Sequence, residues 1–388
     1  MKNNSIQDDR ADKMNNLEIK FDMPTSWRHG RGIVTQTGNM LAGLGCNRPL
    51  LLTDNYLISA GIIEPVTDSL KKEGITYSVC GDVDKEPTVK LFESIVDRLD
   101  LSSFDSIVAV GGGSVLDVAK GLSIIGSFGG SIRDYDGFDL VPGVPRIRVI
   151  AIPTTSGTGS EVSDGVVLID EARDTKFLVL SKKICPAIAI TDPEMTKTMP
   201  PHVTACSGMD ALVHAIESYI SKGSNKVTEL FAEKAIKLIG KGLKPAYKNG
   251  NDMEARERMQ VGATMAMTAA MNSYLGLCHA MAMPLCALYN IPHGQVCGLL
   301  LPHVLEYNSR AVQKKVDHIF HIMGYKHACH DIEGLLDEIG LSARISDFGY
   351  KEMHFQTIIK ETLDSAQAPT NPREPTESEL ADIVNKIV

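Results

Sequence analysis

The 388-residue chain carries 39 Lys and Arg against 48 Asp and Glu, a formal charge of −9, and 43% of its residues are hydrophobic. Such a length buries a large core and divides by ordinary domain sizes into about two units. The acidic balance without any basic block argues against a nucleic-acid partner and leaves small molecules, anionic ones included.

The opening MKNNSIQDDRADKMNN is polar and lacks the apolar core of a secretory leader, and no later run approaches the roughly 20 apolar residues of a membrane span. A loose tail, a cytoplasmic location and no membrane partner are therefore expected. The eight Cys contain no CxxC pair, which fits scattered reduced thiols better than disulfides.

From 17 to 197, short runs rich in Val and Ile alternate with helical patterns: PLLLTD, ITYSVCG, DSIVAVGGG, RIRVIAIPTT and AIAITDP. This is the texture of a parallel α/β domain. Asp54 ends the first of these runs, at the carboxyl edge of the expected sheet, where it can accept from ribose hydroxyls or simply form the local turn. As a carboxylate it would also repel a 2′-phosphate and so favour NAD over NADP.

The run SIVAVGGGSVLDVAKGLSII reads as a buried strand at 107–110, a turn at Gly111, Gly112, Gly113 and Ser114, and a helix from about Val115. Glycines let backbone N–H groups approach phosphate oxygens, and a helix N-terminus adds unpaired donors and a favourable dipole. Leu116 stands where the third Gly of GxGxxG would be, so a tight turn without ligand remains open. Thr154, Thr155, Thr158 and Ser160 follow the next strand on a loop with two glycines that can wrap a cofactor or be a solvated turn. Lys176 in DTKFLVL can neutralise phosphate or ribose-side charge, although a lone Lys is usually surface.

Beyond Pro200 and Pro201 the β runs stop, and TELFAEKAIKLIGKGL and ARERMQVGATMAMTAAMNSYLG show helical spacing. The boundary falls near Lys197, giving an α/β domain at 17–197 and an all-helical domain at 198–388. Met in MAMTAAM and HAMAMP reads as core filler.

Asp210 and His214 are four apart in SGMDALVHAIESYI and leave one helix face together. His279 lies in LGLCHAMAMPL and His293 in NIPHGQV, with Pro284 and Pro292 expected to interrupt any single helix between them, so that His293 begins a new segment. One carboxylate and three imidazoles suit Zn²⁺ or Fe²⁺, although any one of these His taken alone reads as structural. A rival cluster in DHIFHIMGYKHACHD holds His318, His321, His327, Cys329 and His330, but Gly324 and Tyr325 break its pattern and a polar helix face is the better reading.

Together GGGSVLDVAK, PTTSGTGSEV, SGMDALVHAIESYI, LCHAMAMPLCALYNIPHG and NPREPT resemble the iron-containing, or group III, alcohol dehydrogenase family over nearly the whole chain. The resemblance implies an N-terminal nucleotide-binding α/β domain, a C-terminal helical domain, and a cleft holding NAD(H) against one divalent metal. It carries the metal ligands onto Asp210, His214, His279 and His293. It carries the cofactor contacts onto Gly112, Gly113 and Ser114 with Asp117 nearby, Thr154, Thr155 and Thr158, Asp54 at the adenosine ribose and Lys176 at the nicotinamide ribose.

Many members read HAMAHP where this chain has Met283 in place of the second His, a residue that lines the site and that cannot exchange protons as a thioether. Glu86-Pro87-Thr88 in place of NPT, and Asp164-Gly165, are further departures. The implied activity is NAD(H)-linked, metal-centred alcohol oxidation or aldehyde reduction without a covalent nucleophile. The departures point to a short polar aldehyde such as lactaldehyde, 3-hydroxypropanal, succinic semialdehyde, or a sulfo- or phosphonoacetaldehyde. A homodimer or larger homo-oligomer is expected. The alternatives are a dehydroquinate-synthase-like lyase, which uses NAD and a metal without net oxidation, and a non-catalytic relative.

Overall fold

The structure, a computed structural model, describes residues 19–83, 87–173, 175–326, 328–350 and 354–388. Each of the five β-rich runs becomes a strand, and the helical patterns between them become crossovers. The order is β1 (Ser26–His29), α1 (Thr37–Gly43), β2 (Pro49–Leu52), α2 (Asn55–Ser59), α3 (Glu64–Lys72), β3 (Ser78–Cys80), α4 (Val89–Arg98), β4 (Ser106–Gly111) and α5 (Gly113–Phe128). There follow β5 (Gly137–Phe138), β6 (Arg148–Pro153), β7 (Gly165–Asp170), β8 (Thr175–Leu180) and β9 (Ile188–Thr191).

Six of these strands form a parallel sheet in the order β1-β9-β6-β4-β2-β3. Its strands are apolar on both faces because both faces are covered. Leu50, Leu52, Ile107, Ala109, Val149 and Ala151 pack into one core, while Leu51, Val108, Val110, Ile150, Ile152 and Ile190 pack into the other. That split follows the two-residue period of a strand.

A second, three-stranded sheet has the order β5-β8-β7, with β7 and β8 antiparallel from Gly165↔Leu180 to Asp170↔Thr175. The expectation of parallel strands alone does not cover this hairpin. Two strands joined by a short polar turn pair antiparallel, because a parallel return needs a crossover of a dozen or more residues.

The remainder is helical: α6 (Pro201–Ile220), α7 (Lys226–Lys248), α8 (Met253–Ser273), α9 (Leu277–Tyr289), α10 (His293–Met323), α11 (Ala328–Glu338), α12 (Phe355–Asp364) and α13 (Glu377–Ile387). Every residue of α6 from Gly208 to Ile220 is buried, as befits a helix apolar on all sides at the centre of its domain. The expected interruption at Pro284 does not occur. Pro284 sits inside α9, and the chain breaks instead at Asn290, which takes the left-handed conformation (φ 49°) as the helix cap. Pro292 then caps α10, whose first residue is His293. Among the described residues no helix is long and apolar enough to cross a membrane.

Candidate active site

Three helices carry the four proposed metal ligands: one ligand atom each of Asp210, His279 and His293 lies within 4.8 Å of the others, in a group completed by Cys297, and His214 stands beside them. Asp210 and His214 come from α6, His279 from α9, and His293 from the first turn of α10. The close approach of α10 to α6 depends on Gly294, where a Cβ would fall 1.9 Å from the Cys206 carbonyl oxygen. Asp210 Oδ1 lies 3.6 Å from His279 Nε2, 3.6 Å from His293 Nε2 and 3.9 Å from His214 Nε2, and the His214 ring stacks on His279 at 4.5 Å. Ligand atoms bound tetrahedrally at about 2.0–2.1 Å lie roughly 3.4 Å apart, so the spacing suits a small divalent ion.

Asp210 Oδ1 and His279 Nε2 are buried and have no hydrogen-bond partner among the described residues. Leaving such groups unsatisfied costs about 1–3 kcal/mol each, which a cation between them offsets. The Asp210, His214 and His279 side chains are nearly closed off, whereas His293 is 32% exposed. The centre therefore opens on its His293 side. Met283 stands one turn after His279 on α9 and is the single residue from Leu277 to Cys286 that is not fully buried.

Glu217, which the motif reading did not single out, orients His279. It is 1% exposed, and its Oε2 accepts from His279 Nδ1 at 2.7 Å and from the Gly276 amide at 3.0 Å, while Oε1 accepts from the Cys278 amide at 2.6 Å. With its proton on Nδ1, His279 turns Nε2 toward Asp210. The signal was present in the sequence, since residues 210, 214 and 217 share one helix face.

Burial alone would raise the Asp210 carboxyl, but His214, His279 and His293 hold it well below the usual carboxylate range. Burial likewise pushes His214 down, to about 4, with Asp210 only partly offsetting it. For His279 the order reverses: burial opposes the imidazolium, yet Asp210 and Glu217 raise its pKa to about 9.

The second part of the site lies at the carboxyl edge of the parallel sheet. From β2 the chain runs outward to β3, while from β4 it proceeds through β6 to β9 on the other side, which places the switch point between β2 and β4. Asp54 follows β2 and Gly112 follows β4. Asp54 caps α2, its Oδ1 accepting from the Leu57 amide at 2.7 Å, so the turn-forming role is realised at this edge. Gly112 begins α5 with no side-chain cap, and Gly112, Gly113 and Ser114 are partly exposed, which leaves backbone donors facing the crevice.

In-register pairing of Gly111 with Pro153 makes the glycine turn and the Thr-rich loop leave the sheet side by side. A Cβ on Gly112 would meet Thr155 Cγ2 at 3.4 Å, and one on Gly113 would meet Thr158 at 2.9 Å. Thr154 is buried and donates its amide to the Gly111 carbonyl at 2.9 Å. Asp117 faces the protein: it accepts from Ser160 Oγ, accepts from the Val167 amide at 3.0 Å and pairs with buried Lys120 at 2.9 Å. It thereby ties the loop to α5.

The same loop is seated on the helical part. A Cβ at Gly157 would fall 2.6 Å from Ser207 Cβ, one turn before Asp210, and Glu161 accepts from Thr264 Oγ1 on α8 at 2.7 Å. Lys176 is in β8 opposite Ile169, and its side chain lies outside the described residues. Glu86 and His327 also lie outside them, as does the Cys329 side chain. Burial raises the Asp164 carboxyl at the start of the β7 strand. Of the rival His cluster, His318 makes an exposed pair with Glu233 at 3.4 Å, and among the described residues the potential metal group is the one around Asp210.

A parallel α/β sheet with a glycine turn at its switch point, and a loop seated against helices that bring Asp and His together, defines a two-part metalloprotein class. Residues 24–193 match the family described as iron-containing alcohol dehydrogenase, and residues 204–388 match the C-terminal part of that family. The chain belongs to the iron-containing alcohol dehydrogenase family. It is 35% identical to alcohol dehydrogenase 4 of Schizosaccharomyces pombe over 370 residues, 94% of this chain and 87% of that one. It is 34% identical to the NAD-dependent methanol dehydrogenase of Bacillus methanolicus over 94% of this chain and 98% of that one. The crystal structure of a 1,3-propanediol oxidoreductase superposes with a TM-score of 0.92 at 32% identity, covering 96% of this chain and all of the other.

Proposed function

We propose that this protein is an NAD(H)-dependent, divalent-metal-dependent alcohol dehydrogenase or aldehyde reductase acting on a short polar aldehyde. One observation carries the reading: the loop from Thr154 to Val162 walls the glycine turn at Thr155 and Thr158 and rests, through Gly157, one helical turn before Asp210. A dinucleotide laid along Gly112 and Gly113 is thereby aligned toward the Asp210 centre. When bound, a divalent ion supplies Lewis-acid polarisation of a carbonyl or alkoxide oxygen and a nicotinamide supplies or accepts the hydride.

This chain's residues do the rest. Asp210, His214, His279 and His293 hold the ion, and Glu217 fixes the His279 tautomer. The buried sides keep water from the reacting oxygen, while the side at His293 and Met283 admits substrate. Met283 cannot exchange a proton, so proton delivery runs through water and hydroxyl groups at that opening. The name of the methanol dehydrogenase supports NAD, and the propanediol oxidoreductase supports a small polyol-derived substrate. Asp with three His leaves iron and zinc equally served.

The test is NADH oxidation by protein stripped of metal and reloaded one metal at a time. The aldehyde panel comprises lactaldehyde, 3-hydroxypropanal, succinic semialdehyde, sulfoacetaldehyde and unsubstituted alkanals. Metal-restored turnover favouring the polar aldehydes is expected. Equal rates on plain alkanals would remove the polar-substrate reading, and no turnover with any metal would remove the enzymatic one.

A further inference from the structure

We infer that Cys297 supplies a thiolate as a fifth donor to the metal centre, beside Asp210, His214, His279 and His293, so that the ligand set of this chain includes sulfur as well as oxygen and nitrogen; the inference rests on those four residues being metal ligands. Cys297 follows His293 by four residues on α10 and faces the same way, toward α6. Its Sγ lies 3.6 Å from His293 Nε2. A nitrogen bound at about 2.0–2.1 Å and a sulfur bound at about 2.3 Å to one ion, with about 110° between the bonds, lie roughly 3.6 Å apart.

One ligand atom from each of Asp210, His279, His293 and Cys297 falls within 4.8 Å of every other. Cys297 is 0% exposed, and two of the unpartnered buried atoms, Asp210 Oδ1 and His279 Nε2, belong to the same group. Neighbouring thiols are placed differently. Cys286 Sγ faces the other nitrogen of His293, Nδ1, at 3.6 Å, and Cys278 Sγ lies 3.4 Å from the Cys297 carbonyl oxygen.

Ligation exchanges the thiol proton for the metal: the S–H bond breaks, a metal–sulfur bond forms, and the proton leaves to solvent with no change in oxidation state. A thiolate softens the donor set and shifts its preference toward zinc and cobalt over harder ions.

The full-length protein, stripped with a chelator and reloaded with Co²⁺, provides the test. The wild type is expected to show a near-ultraviolet sulfur-to-cobalt charge-transfer band, and X-ray absorption is expected to find a sulfur scatterer at about 2.3 Å. In Cys297→Ser and Cys297→Ala that band disappears while the visible cobalt bands persist. Visible bands without the charge-transfer band or scatterer in the wild type would overturn the inference and leave the dehydrogenase reading intact. A band that survives in both variants would overturn it too, and a wild type that takes up no cobalt would overturn both.

Discussion

At the level of single residues, the site is governed by buried charges that hold one another in place. Glu217 restrains His279 through Nδ1 and three backbone amides, so Glu217→Gln keeps the shape and removes the charge. A loss of about 10–100-fold in metal affinity is expected, read by chelator competition, with the fold retained. Unchanged affinity would reduce Glu217 to a packing role.

His279 leads to a pH dependence whose sign is fixed. Its pKa in the metal-free protein is raised from 6.5 to about 9, so its stabilising contribution is fully present below about 6.5 and lost as pH rises through about 9. A metal ion must displace that proton. In a Cys297→Ser background, where the thiol proton is absent, metal uptake at pH 7 is expected to release about one proton and above pH 9 almost none. Calorimetry in two buffers of different ionisation enthalpy measures it, and uptake without proton release at pH 7 would contradict the His279 assignment.

At the level of elements, helix starts do two jobs. Asp54 caps α2 at the sheet edge where a ribose would lie, and cap and charge separate in Asp54→Asn because Asn caps as well as Asp. Thermal stability is expected to stay within about 0.5 kcal/mol of wild type while discrimination against NADPH relaxes. An unaltered NADH-to-NADPH preference would leave the residue a cap alone. Gly113→Ala crowds the α5 start against Thr158, where the new Cβ would come within 2.9 Å. NADH affinity, followed by fluorescence titration, is expected to fall at least about tenfold, near 1.4 kcal/mol, at unchanged metal content. Equal NADH affinity would place the pyrophosphate elsewhere.

At the level of the whole molecule, the loop from Thr154 to Val162 couples the sheet to the helices. Gly159 has φ +63°, and a Cβ there would fall 2.2 Å from Met267 Cβ on α8. Gly159→Ala combines backbone strain with overpacking and is expected to cost about 2–4 kcal/mol, seen as a lowered thermal midpoint with NADH binding and metal-dependent turnover falling together. If the midpoint held, the loop would not be a structural joint. Its seating against α6 and α8 supports a crevice and a metal centre that are built as one unit.

What lies within one element was legible from residue order. The apolar runs of β2, β4, β6 and β9, the four-residue spacing of Asp210 and His214, and the glycine turn ahead of α5 all follow from periods of 2 and 3.6 and from missing side chains. Local signals weaken where a long-range partner intervenes. Pro284 is carried inside α9, and β7 and β8 pair with each other outside the parallel sheet. Glu217 and Cys297 looked like ordinary residues of apolar helices until α9 and α10 were folded against α6. Sequence spacing sets the direction a side chain takes from its own backbone, but the distance between side chains on different helices is set by packing, here by glycines such as Gly294 that let two backbones nearly touch. The candidate ligand residues could thus be picked out along the chain, and their approach to one another, with the thiol beside them, was decided by the way three helices close.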